Sequence, residues 1–276
     1  MGCADVSSVA GGAKMSANSD VSRKRFLLIG NDATSILSFR GELLRAVQKT
    51  GADVHIAGPN LMHGNPLRQQ MEAQGFTVHS IPLARTGTNP LADLRSLLAL
   101  WRLMQHLRPN TMLAYTIKPV IYGSLAAWLA RVPRRFALIP GLGYTFLGDG
   151  SRNRLQALVQ KLYRVALSHV HGVFFQNPDD AALFNERDIL PASIPTCVVN
   201  GSGVDLERFA VTALPAPPQN VHFLLIARLL GDKGVREYAA AAQAVKAIRP
   251  NSVFSLVGGL DSNPNSITQT ELDAWV

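Results

Sequence analysis

Arg228 and Lys233 are the side chains of this sequence whose type and spacing most directly suggest chemistry. They stand in the stretch Asn220-Val-His-Phe-Leu-Leu-Ile-Ala-Arg-Leu-Leu-Gly-Asp-Lys-Gly-Val-Arg236. Val221 to Ala227 is almost wholly apolar and reads as a strand buried on both faces of a parallel sheet. Gly231 and Gly234 punctuate the loop that follows, and Val235 to Ile248 is Ala-rich with a helical period. The two cations therefore sit where a strand ends and a helix begins, the edge at which open α/β sheets bind ligands. Cations beside the positive end of a helix make an anion site, and a diphosphate fits the spacing. Taken alone, an Arg and a Lys this far apart would read as solvated loop charges.

The surrounding residues add to that reading. Ile226-Ala-Arg-Leu-Leu-Gly-Asp-Lys-Gly-Val235 resembles the donor-binding segment of family 4 glycosyltransferases, retaining enzymes of the GT-B fold. Upstream, Val199-Asn-Gly-Ser-Gly-Val-Asp-Leu-Glu-Arg-Phe209 resembles the interdomain segment of the same family. Thr116-Ile-Lys-Pro119, with Pro140-Gly-Leu-Gly-Tyr-Thr-Phe146, is similar to a branch acting on polyprenyl-diphosphate-linked sugars. The resemblance implies an α/β fold of the GT-B type, two facing Rossmann-like domains with the second incomplete. It implies transfer, with retention, of a hexose or N-acetylhexosamine from a nucleotide diphosphate sugar of the UDP type. The acceptor would be a sugar or a lipid-linked sugar in polysaccharide or glycan assembly. Arg228 and Lys233 would hold and neutralise the leaving diphosphate, with Gly201, Gly203, Gly258 and Gly259 bordering the donor. Gly30, Asn31, Lys118, Gly141, Gly143 and Tyr144 would line the acceptor cleft. No cofactor, metal ion or dedicated protein nucleophile is expected.

Composition limits the partners. The 276 residues carry 27 Lys and Arg against 19 Asp and Glu, a net charge of +8, which favours anionic ligands or an anionic membrane surface. No basic–aromatic interleaving suggests nucleic acid. Cys3 and Cys197 have no metal or redox spacing, so a reducing, cytoplasmic setting is expected, peripheral on the inner membrane's cytoplasmic face. No apolar run reaches the roughly 18 residues that span a bilayer. Residues 1–22 lack the apolar core of a secretory signal and read as a disordered leader.

The chain has to position these groups through alternating strands and helices. Arg25 to Gly30, Val54 to Ala57, Thr77 to Pro82, Thr111 to Tyr115, Phe136 to Ile139 and Val170 to Gln176 read as strands of a doubly wound sheet. Helices are expected at Phe39 to Thr50, at Pro66 to Gln74, from Lys118 and Pro119 to Arg131, and after the cap Asn177. Asn31 to Ser38 is not G-x-G-x-x-G, which removes the dinucleotide fingerprint. Pro90 to Arg108 is expected to pack Leu91, Leu94, Leu98, Trp101 and Leu107 on the core. Lys118 lies at a strand-to-helix junction, where a ligand contact and a plain surface lysine are both open. Tyr144 and Phe146, on a Gly-rich loop, could stack on a sugar or a lipid-linked acceptor, or close over the core. Arg152 to Ser168, with Arg152, Arg154, Lys161 and Arg164, could lie on an anionic membrane or simply be solvated.

The expected organisation is a leader over 1–22, an acceptor domain over 23–200, a linker over 201–218 and a donor domain over 219–276. Paired glycines at 258 and 259 close its second strand. Family 4 enzymes carry a Glu-x7-Glu motif further on, whereas Glu271 is the one glutamate after Gly259. The sequence is therefore expected to be truncated in its second domain. That keeps open a non-catalytic fragment that binds acceptor or membrane, and a GT-B-type nucleotide-sugar epimerase, although no acid/base set for the latter is evident.

Overall fold

The computed structural model describes residues 23–83, 89–142, 153–213, 220–260 and 265–275, without the side chains of 153–155. The chain divides into two compact units, Met1–Val204 and Asp205–Val276.

In the first unit, strands β1 (Arg25–Ile29), β2 (Asp53–Gly58), β3 (Thr77–Ser80), β4 (Thr111–Tyr115), β5 (Arg134–Ile139), β6 (Gly172–Phe175) and β7 (Thr196–Val198) form one sheet, in the order β3-β2-β1-β4-β5-β6-β7. Every pairing is parallel. A parallel sheet has to be covered on both faces, and successive side chains alternate between them. Leu27 and Ile29 thus join a core with Met112, Ala137 and Val173, while Leu28 joins another with Val54, Ile56 and Leu113. The first core is closed by α3 (Pro90–Leu107), α4 (Ser124–Leu129), α5 (Asn153–Leu167) and α6 (Pro178–Glu186). The second is closed by α1 (Ala33–Lys49) and α2 (Pro66–Ala73). A five-residue π-helical turn, Pro119–Gly123, precedes α4.

Helix starts are set by short polar side chains. Asn65 and Asn89 cap α2 and α3, each followed by a proline at the first helical position. Asn177 does the same for α6, with its Oδ1 accepting from Asp179 N at 2.9 Å. Asp32 caps α1, its Oδ1 accepting from Thr34 N at 2.9 Å and Ser35 N at 3.1 Å. This cap starts α1 six residues before the expected Phe39. The serines and β-branched residues of its first turns have weak helix preference and hide it from a sequence reading. Strand β7, directly after Pro195, was likewise not expected as a strand. It is three residues at a sheet edge.

The buried face of α3 differs from expectation. Leu91, Leu94 and Leu98 are 69%, 51% and 39% exposed, whereas Ser96, Leu100, Met104 and Leu107 are buried. Leucines occupy nearly every side of this helix, so their period cannot choose a face. Ser96 does: its hydroxyl donates to Pro82 O just after β3 and is shared with Ala92 O. Trp101, partly buried against the core, and Leu107 were placed correctly.

At the β2–β3 edge, His55 and His79 stack with centroids 5.4 Å apart, and His55 Nδ1 lies 3.1 Å from His79 Nε2. Burial, then His55, Arg68 and His106, push His79 down from 6.5 to about 4.

In the second unit, β8 (His222–Ile226) pairs in parallel with β9 (Val253–Val257), linked by a 3-10 turn, Gly231–Lys233, and α7 (Val235–Ile248). A short α8, Gln269–Trp275, follows. Its core is small: Leu229, Val235 and Ile267 are buried, with Leu225, Leu256, Leu272 and Trp275 packed against them. Leu224 and Ile226 remain exposed.

Leu100→Ala should cost about 2–5 kcal/mol in urea unfolding, and Leu94→Ala within about 0.5 kcal/mol. The reverse ranking would restore the stripe expected from sequence. For His79, the unfolded chain takes up a proton below about 6.5 and the folded chain only near 4. Stability contributed by the neutral ring is therefore whole above that window and falls as pH drops through it. His79→Gln should flatten the decline in melting temperature between pH 7 and 4.

Candidate functional site

The carboxyl ends of the first unit's strands bring several expected residues to one edge. Strand order reverses between β1 and β4, the crevice where such sheets admit ligands. Gly30 ends β1, and a Cβ there would lie 2.7 Å from the Tyr115 ring, so the glycine lets Tyr115 fill the crevice. Tyr115 Oη lies 2.8 Å from Ser35 Oγ, and burial pushes this phenol up to about 12. Asn31 is half-buried beside the cap of α1. Because the Asp32 carboxylate already occupies the first N–H groups of α1, this helix end offers no open anion seat.

Arg40, on α1, lies over the same tyrosine with its Cζ 5.0 Å from the ring centroid. Its Nη1 donates to Ser202 Oγ at 2.7 Å, and Gln176 Nε2 donates to the same oxygen at 3.3 Å. Gly201 and Gly203 flank Ser202 with φ of 74° and 71°. These two expected donor-side glycines are thus held at the first unit's sheet edge through the serine between them. Sequence reasoning missed Arg40 and Ser202, since a contact across 162 residues leaves no local pattern.

Lys118 is committed within the fold. Its Nζ lies 2.7 Å from Asp93 Oδ1, in the first turn of α3, and both side chains are mostly buried. Asp93 also hydrogen-bonds Tyr122, whose phenol is raised first by burial and then by this carboxylate. Thr116, two residues before Lys118, has φ of 69°, and its buried Oγ1 has no partner among the described residues. Gly141, just after β5, faces open space. Gly143, Tyr144 and Phe146 lie outside the described residues.

The second unit gathers the expected donor residues at the ends of β8 and β9. A Cβ at Gly258 would fall 1.9 Å from Ala227 O, so only glycine allows the strands' ends to run this close beside Arg228. Ala227 N donates to Val257 O at 3.0 Å and Leu229 N to Gly259 O at 3.3 Å, carrying the pairing past the strands. Arg228 is exposed between them. Lys233 is exposed at the end of the 3-10 turn that leads into α7.

Glu271 belongs to the scaffold. It takes a bond from Arg236 Nε at 2.6 Å, accepts from Thr268 N at 2.8 Å, and Thr268 Oγ1 accepts from its own N–H at 3.2 Å. That reciprocal pattern is a capping box for α8. These bonds, the one from Arg236 first, hold its carboxyl down at about 2.

Histidines and cavities supply no competing centre among the described residues. His169 stacks on Trp128 at 4.0 Å, and His171 Nδ1 accepts from Arg135 N at 3.1 Å. An open cavity of about 660 Å³ beside β3 is lined by Met62, His63, Arg68, His79, Ile81 and Leu103. None of the expected site residues lines it, and its Arg68 is committed to Glu72 at 2.8 Å and Leu61 O at 2.9 Å. Among the described residues, no group of three or more His, Cys, Asp or Glu could hold a metal ion.

Relatives and structural neighbours bear on the family and the fold. The N,N'-diacetylbacillosaminyl-diphospho-undecaprenol alpha-1,3-N-acetylgalactosaminyltransferase of Campylobacter jejuni is 25% identical over 253 residues, covering 87% of this chain and 65% of that protein. The UDP-Gal:alpha-D-GlcNAc-diphosphoundecaprenol alpha-1,3-galactosyltransferase of Escherichia coli is 25% identical over 191 residues, covering 64% of this chain and 48% of that protein. This chain thus spans less than two thirds of either relative. Sucrose-phosphate synthase from Thermosynechococcus elongatus superposes with a TM-score of 0.66 at 12% identity, over 91% of this chain and 67% of that one. That likeness concerns the fold, which is α/β of the GT-B type. The family described as glycosyl transferase 4-like matches residues 26–177, more than half of the sequence, and the chain belongs to that family.

Proposed function

We propose that the protein is a retaining glycosyltransferase. It moves a hexose or N-acetylhexosamine from a nucleotide diphosphate sugar, of the UDP type, to a polyprenyl-diphosphate-linked sugar in glycan assembly. The observation that carries this reading is the convergence of Arg228 with Gly258 and Gly259 at the ends of β8 and β9, in a family 4-like chain. The acceptor class is supported by two relatives, both named for sugars on a diphospho-undecaprenol carrier.

Negative charge grows on the leaving diphosphate as its bond to the anomeric carbon breaks. Fixed cations aimed at that charge stabilise the transition state more than the ground state. Arg228 and Lys233 take this role, so the reading assigns the diphosphate to side chains and requires no metal. Gly258 and Gly259 border the donor, where the missing side chains allow close approach. Gly201 and Gly203 flank the segment that Arg40 and Gln176 hold, and belong to the donor side. On the acceptor side stand Gly30, Asn31 and Gly141, with Gly143 and Tyr144 the next expected positions along the sequence. Lys118 shapes this side through Asp93 and the start of α3.

Glu271 is given no role toward the donor sugar, because Arg236 and its own capping bonds hold its carboxylate. Peripheral membrane association follows from the acceptor class, with Lys161 and Arg164 of α5 presenting positive charge. Arg164 shares its charge with Asp188 at 3.7 Å. No helix among the described residues is long and apolar enough to cross a membrane.

Arg228→Ala and Lys233→Ala should each lower kcat/KM with a UDP-N-acetylhexosamine donor by roughly 100-fold or more, and unchanged turnover would remove the diphosphate role. Product formation by the 276-residue chain separates transfer from binding alone. In sedimentation with vesicles, the chain should pellet with anionic but not zwitterionic lipid at low salt, and lose the association as salt rises. Failure to pellet at low salt would remove the membrane-surface reading.

A further inference from the structure

The side chain of Arg40 is a buried cation with incomplete partners. The residue is only 5% exposed. Nη1 donates to Ser202 Oγ and to Phe39 O, at 2.7 and 3.2 Å, and the ring of Tyr115 lies beneath the guanidinium. Nε is buried with no hydrogen-bond partner, and no carboxylate pairs with the group among the described residues. Burial opposes the charge, yet a guanidinium does not release its proton in a protein. Buried charges are ordinarily paired, because leaving one uncompensated is costly.

A second observation comes from the same edge of the sheet. Thr116 directly follows Tyr115, on whose ring Arg40 rests. It is a β-branched residue held at φ of 69°, a region such side chains avoid. Its buried hydroxyl also lacks a partner among the described residues. Backbone strain of this kind persists where the surrounding structure enforces it, commonly at ligand sites. The end of β4 thus collects a planar cation with an unused edge and an unused hydroxyl, beside the crevice between β1 and β4. Each is a donor that an anionic oxygen would satisfy.

We propose that Arg40, with Thr116, binds the diphosphate of the lipid-linked acceptor. The proposal rests on the acceptor class given above and adds the residues that read its charged part. The free edge of the guanidinium suits two oxygens of one phosphate, and the Thr116 hydroxyl donates to a further oxygen. Two diphosphates then meet two separate sets of groups: Arg228 and Lys233 take that of the nucleotide, Arg40 and Thr116 that of the lipid. Through Nη1 and Ser202, occupancy of the acceptor set also reaches the segment between Gly201 and Gly203.

Titration calorimetry of the 276-residue chain with geranyl diphosphate, inorganic pyrophosphate and UDP tests this. The wild type should bind geranyl diphosphate and pyrophosphate. Arg40→Gln should weaken geranyl diphosphate by roughly tenfold or more and UDP far less, the remainder passing through the bond to Ser202, and Arg228→Ala with Lys233→Ala should weaken UDP far more than geranyl diphosphate. The proposal is overturned if the wild type does not bind geranyl diphosphate, if Arg40→Gln binds it equally well, or if that variant loses UDP instead. Should Arg40→Gln not fold, Arg40→Lys decides. That variant keeps the charge but not the two-pronged edge, so a loss of about threefold or more supports the assignment and unchanged affinity overturns it. Failure of the transferase reading would show separately, as absent UDP binding by the wild type.

Discussion

Seven strands that all run the same way impose two demands on this chain. Hairpins cannot join them, so each connection has to cross a face of the sheet, and each face has to be covered. The alternation of Leu27 and Ile29 against Leu28 answers the second demand within a single strand. The first demand delivers every strand end to one edge, where Gly30, Tyr115, Gly141 and Gln176 emerge from β1, β4, β5 and β6. Reversal of the winding between β1 and β4 opens the crevice at that edge. Tyr115 enters it because Gly30 has no side chain, and the phenol, Ser35 and the Arg40 guanidinium then assemble around the ring.

Positive charge on this protein is less available than its net value suggests. Lys118 is committed to Asp93, Arg68 to Glu72 and Arg236 to Glu271. Arg135 is turned inward, donating to His169 O at 2.6 Å and Val132 O at 2.6 Å. Lys118 ties α3 to the end of β4, Arg68 is paired within α2, and Arg236 joins α7 to α8, so these charges contribute little field at a distance. Arg228, proposed for a binding role, sits instead where the pairing of β8 and β9 runs out, beside Gly258 and Gly259. Phosphate recognition of this kind depends on a few placed groups, and a basic surface alone would not supply it.

Much of the fold was legible because burial on both faces writes itself as short apolar runs. Strand β9 and helix α7 match their sequence reading to the residue, and β4 does as well. Features decided by distant partners were not legible. The face of α3 depends on one hydroxyl reaching Pro82 O, and nothing in its leucine pattern reveals that. Helix α1 owes its start to Asp32, a cap that the serines and threonine after it obscure. The same division holds for the site. Arg228, Lys233, Gly258 and Gly259 lie in local strand-to-loop patterns and could be named from sequence. Arg40 reads there as an ordinary helix arginine, since its relation to Tyr115 and Ser202 exists only once the sheet has formed.

The modest core of the second unit has a thermodynamic consequence for anything bound at the ends of β8 and β9. Among the described residues, the cluster of Leu229, Val235 and Ile267, with Leu230 buried beside it in sequence, anchors a two-stranded sheet whose Leu224 and Ile226 stay exposed. Segments with so few buried contacts open at low free energy and exchange their amide hydrogens early. A nucleotide that binds only the closed arrangement draws the opening equilibrium back, so part of its intrinsic affinity is absorbed in ordering the strand ends. Its observed dissociation constant is then a joint property of the contacts and of the local folding of this unit. On the proposed donor role, substitutions at Leu225 or Leu256, which pack on that core, would shift nucleotide affinity through the folding term.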